Sequence, residues 1–171
     1  MPVEWHEFYS LLGTAAAALV ALLFVAASIG AGYLSTERAS ATRTFMSPVL
    51  FHYAVVLFIS LIVLIPTQTL TTLGLSITIV AGPGLIYAVF ILVRVVRNPS
   101  ADVADWLGYG GSPLAAYAAT LVAAGLLVAH SQRGANVLAG ALLLLLVVNI
   151  RNAWDTTLAL ARRQAEQPPK S

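Results

Sequence analysis

Cysteine is absent from this 171-residue chain, which excludes disulfides, thiolate nucleophiles and cysteine-ligated metal sites together. Lysine is nearly absent: the one copy is Lys170 in the tail, so no helix can carry a lysine Schiff base. Charge is scarce throughout. Only 9% of residues are charged, against about 25% in ordinary soluble domains. Seven acids and nine bases, among residues that are 59% hydrophobic, cannot clothe a water-soluble surface. Hydrocarbon is the alternative solvent, and it asks for about 20 apolar residues per helical crossing.

Five apolar stretches meet that demand: Phe8–Tyr33, Pro48–Ile65, Leu70–Val96, Pro113–His130 and Ala135–Trp154. Together with their connections they use nearly the whole chain, leaving no room for a separate soluble domain. The first stretch differs from a secretory signal, which has a basic leader and a short apolar core. Here the leader Met1–Glu7 is acidic and the apolar run is long. The sequence therefore predicts an all-α, polytopic transmembrane bundle in one domain, with helices over about 8–33, 48–65, 70–96, 113–130 and 135–160. The last continues beyond the membrane, because Arg151, Asp155 and Arg162 fall on one helical stripe. No internal repeat relates the two halves.

Basic residues favour the cytoplasmic side of a membrane, whereas acids count little. Arg38 and Arg43, then Arg94 and Arg97, then Arg151, Arg162, Arg163 and Lys170 occupy alternate connections and the tail; only Arg133 lies on the other side. This pattern predicts the N-terminus outside and the C-terminus in the cytoplasm. Aromatic residues agree, since Trp5, Phe8 and Tyr9 fall at one interface and Tyr33, Phe45, Trp106, Tyr109 and Trp154 at the other. Ser47-Pro48 and Ser112-Pro113 read as helix starts, with a hydroxyl cap before a first-turn proline. Residues 99–109 read as a short helix lying on the inner surface or as an ordered loop.

Several polar or special positions inside the stretches are candidate sites. Gly82-Pro83-Gly84 lies mid-way along the third helix, where a missing N–H frees a carbonyl and bends the backbone. Broken helices near the midplane hold substrates in transporters; a packing kink is the competing explanation. Gln68, Thr72 and Ser76 recur at helical spacing on the outer half of the same helix, either as a hydrated path or as hydroxyl glue between helices. His52 is a candidate pH-responsive group on the second helix. Asn149 and Asn152 are candidate inter-helix hydrogen-bonding groups near the inner end of the last helix. Arg94 and Arg97 serve as inner-face anchors. Small residues on the first helix, Gly13, Ala17, Ala26 and Gly30, permit close helix approach.

The apolar stretches contain no Asp, Glu or Lys, and ion-coupled pumps need a buried ionisable group. No Ser/His pair, paired aspartates or zinc-ligand spacing appears. His6, Glu4, Glu7 and His130 share one side without metal-site spacing. The expectation is no enzyme, no cofactor, no metal and no nucleic-acid partner. What remains is a membrane component acting by helix–helix association with itself or a larger membrane protein, or else a homo-oligomeric passive channel for ions or small polar molecules.

The opening Trp5-His6-x-Phe8-Tyr9, followed by Gly13-x-Ala15-Ala16-Ala17 and Leu22-Leu23-Phe24-Val25-Ala26, resembles the start of small uncharacterised bacterial integral membrane proteins. The resemblance implies a multi-pass protein of the bacterial inner membrane and brings no activity, cofactor or substrate.

Overall fold

The structure is a computed structural model that describes residues 4–31, 36–97 and 106–165. Gly32 and Tyr33 of the expected first helix, residues 99–105 of the expected surface segment and the tail from 166 lie outside the described residues. Five α-helices follow one another: α1 (Glu4–Ala31), α2 (Thr36–Leu64), α3 (Leu70–Val96), α4 (Ser112–Val128) and α5 (Arg133–Ala165). A π-helical turn, Trp106–Gly111, leads into α4. There is no strand among the described residues.

Four segments are long and apolar enough to cross a membrane: Trp5–Ser28, Leu70–Val96, Leu107–Val128 and Arg133–Asp155. The apolar part of α2, Pro48–Leu64, is shorter. Two helix starts differ from expectation. α2 begins at Thr36 and runs through Pro48, because Thr36–Ser47 contains neither glycine nor proline to stop it. Pro48 therefore costs α2 one internal hydrogen bond rather than opening the helix. At α4, Ser112 makes no hydroxyl cap: the preceding Gly111 is itself in helical conformation, since the chain enters from the π-turn. Of the expected surface helix, residues 106–109 belong to that turn.

The other ends follow local chemistry. Thr69 is extended, and its hydroxyl accepts the Thr72 N–H at 3.1 Å, starting α3. α4 stops in a Schellman motif, with Ser131 N–H donating to Leu126 O (2.8 Å) and His130 N–H to Leu127 O (2.9 Å). That motif puts its pivot residue at positive φ, normally glycine; here His130 takes it, at φ 57°.

α2, α3, α4 and α5 form a ring in which each packs on the next, α3 on α4 and α4 on α5 most extensively. α1 lies outside the ring, against α2, and touches α5. Small residues set the close approaches. A Cβ at Gly74 would sit 2.6 Å from the Ala124 carbonyl oxygen, and one at Gly13 would sit 3.1 Å from Ser60 Cβ, so α3 meets α4, and α1 meets α2, nearly backbone to backbone. Tyr9 ties α1 to α5, its hydroxyl donating to Ala135 O at 3.3 Å. Trp5, Phe8 and Tyr9 cluster there with ring centroids 5.1–5.9 Å apart.

The core has two chemically distinct ends. Toward the end that holds Leu64, Leu70, Val128 and Arg133, the buried ring positions are aliphatic: Ile59, Val63, Leu73, Ile77, Ala124, Leu127, Leu138 and Leu142. Toward the other end the buried set includes His52, Tyr53, Tyr117, Asn149 and Asn152.

Candidate functional site

α2 and α4 face each other across the ring, and their polar side chains meet. His52 Nδ1 and the Tyr117 hydroxyl share a hydrogen bond of 2.8 Å; which atom donates depends on the imidazole tautomer. Both residues are buried, Tyr117 completely. Tyr87 from α3 and Phe51 from α2 complete an aromatic cluster. The His52 ring lies 5.5 Å from Tyr117 and 6.0 Å from Tyr87, and Phe51 lies 5.1 Å from Tyr87.

Gly84 makes this arrangement possible. A Cβ there would fall 2.2 Å from Tyr117 Cε1, so the phenol crosses the ring only because α3 offers a notch at that position. The other two residues of the triplet turn away. Gly82 has open space where a Cβ would be, and Pro83 is exposed. α3 runs unbroken from Leu70 to Val96 with Gly82-Pro83-Gly84 inside it. Neighbouring turns hold the backbone through the missing bond.

Gln68, Thr72 and Ser76 do not join this cluster. Gln68 Nε2 donates to Ile62 O at 2.9 Å, closing the end of α2. The Thr72 hydroxyl donates to Thr69 O at 2.9 Å and is exposed. Both residues satisfy helix ends at the rim, the ordinary fate of polar groups beside unpaired backbone. Ser76 is half-buried further along α3. The Thr69-x-x-Thr72 spacing was the available sign of a cap.

Asn149 and Asn152 lie one turn apart on the buried face of α5. Asn152 Nδ2 donates to Gly108 O at 3.0 Å, bridging α5 to the π-turn. Asn149 Nδ2 instead donates to Leu145 O in its own helix, at 2.7 Å. Its Oδ1 is enclosed and has no hydrogen-bond partner among the described residues, as is true of the Tyr53 hydroxyl. Sequence reasoning missed Tyr117, Tyr87, Tyr53 and Gly108. Their sign was weak: tyrosines placed near the same-side ends of antiparallel helices as His52.

The charged groups stay at the margins. Arg94 lies 5.7 Å above the Phe90 ring, a cation–π contact at an exposed position. Arg151 and Asp155 pair at 3.8 Å, both well exposed, which adds little stability. A shallow, open groove of about 580 Å³ lies between α1 and the end of α2, lined by His6, Glu7, Ser10, Leu11, Thr14 and Leu64. Among the described residues no three His, Asp or Glu side chains gather to hold a metal ion. No known protein family, curated protein or solved structure matches the chain.

The geometry can orient, pack and hydrogen-bond. The His52–Tyr117 pair sits among aromatic rings, and the carboxylates of the apolar helices' flanks lie at their ends.

Proposed function

We propose that the chain is a five-span protein of the bacterial inner membrane, N-terminus outside and C-terminus cytoplasmic, acting as a non-catalytic component through helix–helix association. The apolar part of α2 has 17 residues, about the shortest helix that spans a bilayer, and α2 extends it to 29. Counting α2 as a crossing gives an odd number and places eight of the nine basic residues on one side.

The observation that carries the association reading is the outward face of α4. Ala115, Ala118, Val122, Gly125 and Ala129 are exposed along it, and Gly125, like Gly140 on neighbouring α5, has nothing within 4 Å of a Cβ position. In lipid, apolar surface alone does not drive helices together; small residues do, by allowing close packing. Gln68 and Thr72, two of the three groups expected to line a path, instead satisfy helix ends, which also favours association over conduction.

The test is self-association or partner capture in native membranes. Replacing Gly125 by Ile should abolish cross-linking of the complex while leaving thermal stability of the isolated chain nearly unchanged. Unaltered cross-linking by Gly125→Ile and Ala118→Ile together would exclude this face. Proteoliposomes should pass ions no faster than empty vesicles. A steady flux that Pro83→Leu changes would favour the channel instead.

A further inference from the structure

The polar end of the ring contains groups that hydrocarbon cannot satisfy. Asn149 is completely buried, yet its Oδ1 has no hydrogen-bond partner among the described residues. Tyr53, 1% exposed on adjacent α2, has an enclosed hydroxyl in the same condition. An acceptor left bare in an apolar medium costs several kcal/mol, and buried polar atoms without protein partners are ordinarily met by water. Water is expected to reach these two from the end they occupy, because the opposite half of the ring is lined by Ile59, Val63, Leu73, Ile77, Leu127, Leu138 and Leu142. Ser60 Oγ and Gln68 Oε1, also enclosed without a partner among the described residues, lie against α1 and at the far end of α2.

At the near end stands the π-turn. It packs against α3, α4 and α5. Its backbone is held to α5 by the Asn152–Gly108 hydrogen bond. Gly110 fits against α3, where an added Cβ would lie 2.5 Å from Leu92 Cδ1 and 3.2 Å from its Cβ. Three of its six residues are glycine, and π-turns are rare and recur at functional sites. A glycine-rich segment pinned by Asn152 over unsatisfied polar groups is a closure with a catch.

We propose that the polar half of the ring is a one-ended hydrated vestibule, taking water and small uncharged hydrogen-bonding solutes, with the Trp106–Gly111 turn as its lid and Asn152 as the catch. Asn149 and Tyr53 are its ligand-facing groups, and the His52–Tyr117 pair marks its depth. This inference goes beyond the association reading and does not depend on it.

The lack of native cysteine makes the test direct. Single variants Asn149→Cys and Tyr53→Cys, in permeabilised membranes so that orientation does not matter, are exposed to a small charged methanethiosulfonate. Ile86→Cys, on the exposed face of α3 and away from the α4 surface, gives the lipid-facing baseline. Both core variants should label faster than the baseline, and adding Asn152→Leu should speed labelling about five- to tenfold, the factor one hydrogen bond supplies. In a separate double variant, Leu92→Cys with Gly110→Cys should form a disulfide that pins the turn. Labelling at position 149 is then read by a thiol-independent route, as deuterium uptake of the Leu145–Asn149 amides in the Asn149 parent. Uptake should fall when the disulfide is closed and recover on reduction. Core thiols no faster than the baseline would overturn the vestibule. Labelling and uptake indifferent to both Asn152→Leu and the disulfide would overturn the lid.

Discussion

At the scale of single residues, the two flanking glycines of Pro83 have opposite surroundings, and this separates their expected behaviour. Gly84→Ala forces a methyl into the Tyr117 ring, and overpacking of this kind costs about 1–3 kcal/mol. Gly82→Ala meets open space and gains helix propensity of up to about 1 kcal/mol. Thermal unfolding in detergent should therefore fall for the first and hold or rise for the second; equal effects would remove the notch from the account. His130 is the other residue with a clear forecast. It pays for a left-handed conformation, about 1–2 kcal/mol for an L-residue, in a position where glycine is at ease. His130→Gly should raise the melting temperature, and a loss would mean that its ring, 3.5 Å from Thr71 Oγ1, matters more than its backbone. Neither distinction is visible in the sequence. Gly82 and Gly84 are two residues apart in the same motif, and only the packing of α3 on α4 tells which one faces a partner.

At the scale of elements, apolar runs located the helices because hydrocarbon leaves the backbone no partner but itself. α3 matches its expected limits of 70 and 96, since Thr69 caps it and the apolar run ends with it. α2 is the instructive failure. Ser47-Pro48 has the composition of a helix start, but a first-turn proline is only tolerated there, not obligatory, and the polar residues before it are themselves helix-compatible. A consequence can be measured. Pro48→Ala restores a backbone donor inside α2, so it should stabilise the protein by about 1 kcal/mol or more and give position 48 a slowly exchanging amide, protected like its helical neighbours. If Pro48 were at a helix start, the change would be neutral. The π-turn had no signature beyond its glycines, because a wider turn is selected by what it packs against, here Leu92 and Asn152.

At the scale of the whole molecule, composition told the solvent and the helical class, while the arrangement of helices was not legible. Which helix faces which depends on contacts such as His52 with Tyr117, 65 residues apart, and periodicity carries no such pairing. The candidate site suffered most from this. The residues singled out on the outer part of α3 are individually polar, yet the polar core is built at the other end from tyrosines that look apolar in a pattern. Orientation remains a question for labels: tags at residues 2 and 171 should be accessible from opposite sides of sealed vesicles, and same-side access would refute the proposed five crossings.

The Tyr9–Ala135 hydrogen bond links α1 with α5 across 126 residues of sequence. During synthesis α1 and α2 can pair as soon as both have entered the bilayer, but the carbonyl that receives Tyr9 does not exist until the ribosome has passed most of the chain. The phenol of Tyr9 must wait for it at the membrane surface, among Trp5 and Phe8. A chain truncated before α5 would thus leave α1 tethered to α2 alone.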